Sequence, residues 1–147
     1  MRFNTAIVKA SLVVSLFGCG GSGTASYSFV GDWRAIFNIV TDDCGLFEVG
    51  ADSFSDNHSI SETGAEFLFT SELGLPSEAE GMIAAKALPF STMEDIDVFG
   101  DGTPCVLEQQ VTYSDLKSSE ATVVYTFKIL CSAQLFCSTT AVGSAIR

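Results

Sequence analysis

The chain has 147 residues, enough for one ordinary domain once a leader is set aside and too few for two separate cores. Its formal charge is −11, from 18 acidic residues against 7 basic ones. Phosphate binding needs clustered Lys and Arg, so nucleic acid is excluded as a partner, and a basic face that would hold an anionic lipid surface is excluded as well.

The first element is a secretory leader. Arg2 and Lys9 make a positive beginning, and Ala10 to Phe17 form an apolar run of 8 residues. Crossing the hydrocarbon takes roughly 20 apolar residues, so this run is too short to remain as a spanning helix. Leu16-Phe17-Gly18-Cys19 follows and resembles the bacterial lipobox. The resemblance implies cleavage before Cys19, acylation of that residue, and attachment to a membrane through the added lipid, several acyl chains holding firmly where one would not. With Gly20 rather than Asp after the cysteine, the sorting rule of that lipoprotein class implies the outer membrane of a cell envelope. The competing reading is an ordinary signal peptide cut near Gly23. Residues 1–18 are thus the expected signal peptide, 19–28 a lipidated tether made flexible by Gly20-Gly21-Ser22-Gly23, and 29–147 the folded domain. Without Arg2 and Lys9 the remainder has 5 basic residues against 18 acidic ones, a net of −13.

Behind the leader, short patterns of period two recur. Trp33 to Val40 places Trp33, Ala35, Phe37 and Ile39 on one face. Asn57 to Ser61 and Glu66 to Thr70 flank a Glu62-Thr63-Gly64 turn, and residues 80–93 read as two short strands around Met82 and Phe90. Cys105 to Ser114 and Ala121 to Cys131 alternate most clearly, joined by a polar turn over 115–120. If Tyr113 faces Val123, then Val111 faces Tyr125, Leu107 faces Ile129 and Cys105 faces Cys131. Cys137 to Ile146 is the last strand.

Eight short strands with polar turns predict an all-β fold, an antiparallel up-and-down barrel. The alternative is a β-sandwich, or a barrel with a short helix over 76–88, where Pro76, Glu78, Glu80, Lys86 and Pro89 have helix-terminus spacing. With Cys19 assigned to lipid, Cys44, Cys105, Cys131 and Cys137 are an even set in an exported domain, which predicts two disulfides. Strand directions in a closed barrel put all four on one rim. Nearest-neighbour pairing joins Cys44 to Cys137 and Cys105 to Cys131; the competing set joins Cys131 to Cys137 and Cys44 to Cys105. A zinc site lacks its pattern, since there is no C-x-x-C pair and His58 has no cysteine near it.

Gly31-Asp32-Trp33 opening the first strand, the run of short antiparallel strands and Arg147 after the last one resemble the lipocalin-like, or calycin, barrels. The resemblance implies that Gly31 and Trp33 form the barrel floor, with Arg147 lying over the indole in a cation–π contact. The layout of Trp33, Cys44-Gly45 and the late cysteines is also similar to small bacterial lipoproteins of unknown role.

The chemical inventory is thin. The chain contains no G-x-S-x-G, H-E-x-x-H or P-loop motif. His58, within Asp56-Asn57-His58-Ser59, is read as an exposed turn or strand end without a catalytic partner. Asp95, Asp97 and Asp101 offer oxygen ligands for calcium, yet Phe99 and Val106 occupy the places of acidic ligands in an EF-hand loop, so a solvated acidic loop is the reading. Trp33, Phe37, Phe67, Phe69, Phe90, Val111, Tyr125 and Phe127 form an inward set that fills, or nearly fills, the interior. The expectation is a non-enzymatic lipoprotein without cofactor, binding a small apolar ligand at the open rim or an envelope protein partner. The alternative is a structural or surface-display protein with no ligand.

Overall fold

Alternating apolar and polar residues fold the chain into eight antiparallel strands in the computed structural model, which describes residues 26–147. Cys19, the signal peptide and the tether up to residue 25 lie outside the described residues. The strands are β1 (Gly31–Asp42), β2 (Ser53–Thr63), β3 (Glu66–Ser71), β4 (Glu78–Gly81), β5 (Leu88–Ile96), β6 (Cys105–Ser114), β7 (Glu120–Cys131) and β8 (Gln134–Ile146). Each pairs with the next and β8 pairs with β1, which closes an up-and-down barrel whose narrowest seam is the single pair Gly81 and Phe90 between β4 and β5.

The β6–β7 hairpin has the register that its alternation demands, with Tyr113 opposite Val123, Val111 opposite Tyr125, Leu107 opposite Ile129 and Cys105 opposite Cys131. A slip of one residue would turn this whole set outward. The helix over 76–88 does not form. Ala79 is buried between exposed Glu78 and Glu80, a period of two rather than 3.6, and β4 supplies the partner that β3 needs, Phe69 lying opposite Ala79. The strand read around Met82 ends at Gly81, and Met82 itself is exposed. Ala84 and Ala87 then bridge across a tight turn whose corner residues, Ala85 and Lys86, have φ of 48° and 69°.

Closure depends on β1 and β8 lying close. Gly143 sits opposite Phe37, and a Cβ there would come within 1.8 Å of the Ile36 carbonyl oxygen, so no larger residue fits without moving the seam. Inside, Trp33, Phe37, Phe69, Phe90, Val111 and Val123 are fully buried, while outward positions of the same region hold Arg34, Ser55, Asn57, Ser59 and Glu66. The outer wall is mixed, since Ile36 and Val40 of β1 and Val142 and Ile146 of β8 are exposed there as well.

Candidate functional site

The barrel has two unlike ends. At the closed end Trp33, 1% exposed, donates its indole N–H to the Phe29 carbonyl at 2.7 Å. The Arg147 guanidinium carbon lies 4.7 Å from the Trp33 ring centre. Its N–H groups donate to the carbonyls of Ser28 (2.9 Å), Val30 (2.8 Å) and Ser118 (2.9 and 3.2 Å). Gly31, at φ 142°, lets the chain turn beneath this clasp, with Arg147 atoms 3.6 Å from where its Cβ would be. These residues stop the end of the barrel and offer no reactive group.

The open end holds both disulfides. Cys44 is bonded to Cys137 with Cα atoms 5.0 Å apart, and Cys105 to Cys131 with Cα atoms 4.1 Å apart. At the same end opens a pocket of about 410 Å³. Phe54, Tyr125 and Phe127 bring three rings to it, Leu46 and Phe47 come from the loop after β1 and Leu73 and Leu75 from the loop after β3, and Ile39, Leu107 and the polar Gln109 and Thr139 complete the lining. That volume falls in the range of small-molecule sites, roughly 300–1,000 Å³. The lower barrel is packed with side chains, so the interior is filled below and hollow at the mouth. A larger hollow, about 690 Å³, is a groove on the outer wall lined by Asp32, Arg34, Asn57, Thr70, Glu72 and Ile146 among others.

Each pocket loop is braced by a carboxylate. Asp42 accepts from the backbone N–H groups of Phe47 (2.6 Å) and Cys44 (3.2 Å) and from the Thr139 hydroxyl, which fixes the loop bearing Leu46 and Phe47. The Thr139 hydroxyl, with backbone N–H groups of Phe47, Leu46 and Cys44, holds the Asp42 carboxyl below its ordinary range. On the other side Asp56 accepts from the Leu73 N–H at 3.1 Å and from the Ser71 hydroxyl, while Ser71 Oγ accepts from the N–H groups of Gly74 (3.1 Å) and Leu75 (3.2 Å).

Asp56 in turn anchors a buried polar chain. His58 is not an exposed strand end: it is 2% exposed and points into the barrel, because Asp56, His58 and Ile60 share the inward face of β2. His58 Nε2 lies 3.0 Å from Asp56 Oδ2, and Nδ1 lies 2.6 Å from the Tyr113 hydroxyl. A carboxylate only accepts, so Nε2 carries the proton and Nδ1 accepts from Tyr113. Burial keeps His58 below its ordinary pKa, with Asp56 opposing, and burial pushes the Tyr113 hydroxyl far up, so both rings are neutral. The order is Tyr113, His58, Asp56, Ser71. Both histidine nitrogens are occupied and Ser71 bonds the carboxylate rather than the imidazole, so the serine is not paired with a base. What the chain does is hold the 72–77 loop, and with it Leu73 and Leu75, against the pocket.

The acidic loop after β5 turns on itself. Asp97 accepts from the N–H groups of Gly100 (2.7 Å) and Gly102 (3.4 Å), and Asp101 from Thr103 (2.9 Å), while Asp95 lies exposed on β5 opposite Val106. Among the described residues no three His, Cys, Asp or Glu side chains converge for a metal ion. Compared with known protein families, characterised proteins and solved structures, the chain matches none. Sequence reasoning missed Asp56, Ser71 and the buried His58; the signal that points to them is the step of two from Ile60 back through His58 to Asp56.

Proposed function

We propose that this chain is a lipid-anchored envelope protein whose barrel holds a small apolar or amphipathic molecule at its open end and performs no catalysis. The observation that carries the reading is the pocket of about 410 Å³ at the open end, lined mainly by Leu, Ile, Phe and Tyr side chains with Gln109 and Thr139 among them. The disulfides suit an oxidising compartment outside the cytoplasm, as the leader and lipobox pattern do. Residues 26–30 enter at the closed end beside Arg147, so a lipid on Cys19 would tether the floor and leave the mouth facing away from the bilayer. The ligand would then arrive from the aqueous side.

A second reading, an envelope protein seated on the mouth, draws on exposed apolar residues elsewhere at that end, where Phe99 of the loop after β5 and Phe136 of β8 pack edge to face at 5.3 Å with both rings half exposed. Native mass spectrometry of the mature protein from its own host distinguishes the two. A co-purified mass of a few hundred daltons supports the first reading (a drug-sized ligand suits such a pocket), a bound protein chain the second, and bare protein opposes both.

A further inference from the structure

We propose that the mouth pocket selects an organic cation, an alkylated ammonium group on an apolar body, over a fatty carboxylate; the inference rests on the reading of this pocket as a ligand site. Charge is one-signed in the loops of the open end and mixed at the closed end, where Asp32, Glu62, Glu66, Glu80 and Glu120 lie at the strand ends. The loops at the open end, 43–52, 72–77, 97–104 and 132–133, carry Asp43, Glu48, Asp52, Glu72, Asp97 and Asp101 and have no Lys, Arg or His. The closed-end loops carry Lys86 and Lys117 against Asp115, with Arg147 beside them. Lys128, on the upper part of β7, is engaged by Glu108 at 3.6 Å on the outer wall. A concave site walled by apolar side chains focuses the field of such one-signed charge.

The pocket lining adds a second, independent feature. Three rings meet in it: Phe54 and Tyr125 lie 6.2 Å apart at 86°, and Tyr125 and Phe127 lie 6.3 Å apart at 43°. Aromatic faces attract ammonium groups, and quaternary ammonium ligands are recognised by such clustered rings. Tyr125 is 5% exposed, yet among the described residues no protein group bonds its hydroxyl, and that oxygen is not sealed from the pocket. Burial pushes its pKa up to about 12, so it stays neutral and its oxygen turns the negative end of a dipole towards an ammonium head. Asp42, bonded by Thr139 and Phe47 of the lining, and Asp56, bonded by Leu73 of the lining, flank the site as acceptors. A carboxylate head would meet these groups with no cation to answer it and only uncharged donors, the Gln109 amide and the Tyr125 hydroxyl, in the lining, although its chain would fit equally well.

The test is calorimetric titration of the mature chain, carrying Cys19→Ser and exported so that both disulfides form, with twelve-carbon amphiphiles below their micelle concentrations. Dodecyltrimethylammonium should bind at least about tenfold more tightly than dodecanoate, with neutral dodecyl maltoside between them. The gap should narrow in high salt and in Asp43→Asn/Glu48→Gln, two exposed changes that leave the barrel intact. Phe54→Leu, at a half-buried ring, should weaken the cation and spare the maltoside. Leu73→Trp, which narrows the mouth from an exposed position, should abolish saturable binding of all three and so separate the pocket from loose adsorption of cations. Dodecanoate binding as tightly as the cation, or Phe54→Leu weakening the cation and the maltoside alike, overturns the inference while the pocket reading survives. Saturable binding by none of the three removes the pocket reading itself.

Discussion

Arg147 lies over Trp33 at 4.7 Å and at the same time donates to the carbonyls of Ser28, Val30 and Ser118. One side chain thereby ties the entering segment, the β6–β7 loop and the C-terminal residue to the floor of the barrel. Arg147→Ala should lower unfolding stability by about 2 kcal/mol, part cation–π and part charge-assisted hydrogen bonding. Arg147→Lys should recover less than half, because an ammonium lacks the planar fork that reaches two carbonyls at once. Urea midpoints of the three proteins measure this.

The buried chain from Tyr113 through His58 to Asp56 should show coupling. Tyr113→Phe removes one hydrogen bond and should cost about 1–2 kcal/mol, whereas His58→Ala strands both a hydroxyl and a buried carboxylate and should cost about 3 kcal/mol or more. The double variant should cost less than the sum of the two. Additive losses would mean that the chain does not act as a unit.

Acid should loosen the same region. His58 faces Asp56 and Tyr113 through its nitrogens and Phe37 and Phe69 through its ring. Its folded pKa lies below the unfolded value of 6.5, so between the two the unfolded chain binds the extra proton and stability rises with pH. The contribution is complete above the unfolded value and is lost as pH falls below it. Melting temperature followed from about pH 8 to pH 5 should decline in the native protein and decline less in His58→Gln, which cannot take up the proton.

The two disulfides close loops of different length, with separations of 93 residues for Cys44–Cys137 and 26 for Cys105–Cys131. Loop-closure entropy assigns them about 4.7 and 3.6 kcal/mol respectively. Replacing the first pair with Ser should therefore destabilise by about 1 kcal/mol more than replacing the second, measured by denaturant unfolding. It should also release the 43–52 loop, so proteolytic nicking is expected there first.

How much of this was legible depends on how sharply each strand alternates. In β6 and β7 large apolar residues recur at every second position, so the hairpin register and the meeting of Cys105 with Cys131 follow from the pattern alone. In β2 both faces are polar, Ser55, Asn57 and Ser59 outward against Asp56 and His58 inward, and the alternation is hidden. Only Phe54 and Ile60, at either end of the polar pair, mark the inner face, and the partner that explains His58 lies 55 residues away. Residues 76–88 offered helix-terminus chemistry without the apolar period a helix must bury, and the need of β3 for a neighbour decided the outcome. The pocket was legible only as an open question, since it is formed by irregular loops whose positions depend on bonds to Asp42 and Asp56.

The pocket itself is tested most directly by titrating the native protein and Leu73→Trp with N-phenyl-1-naphthylamine, a neutral apolar probe that brightens out of water. The native protein should take up the probe saturably at about one per chain, and the variant should lose that uptake while melting at an unchanged temperature, as an exposed substitution allows. Uptake that fails to saturate, or that persists unchanged in Leu73→Trp, would contradict a ligand site at the mouth of the barrel.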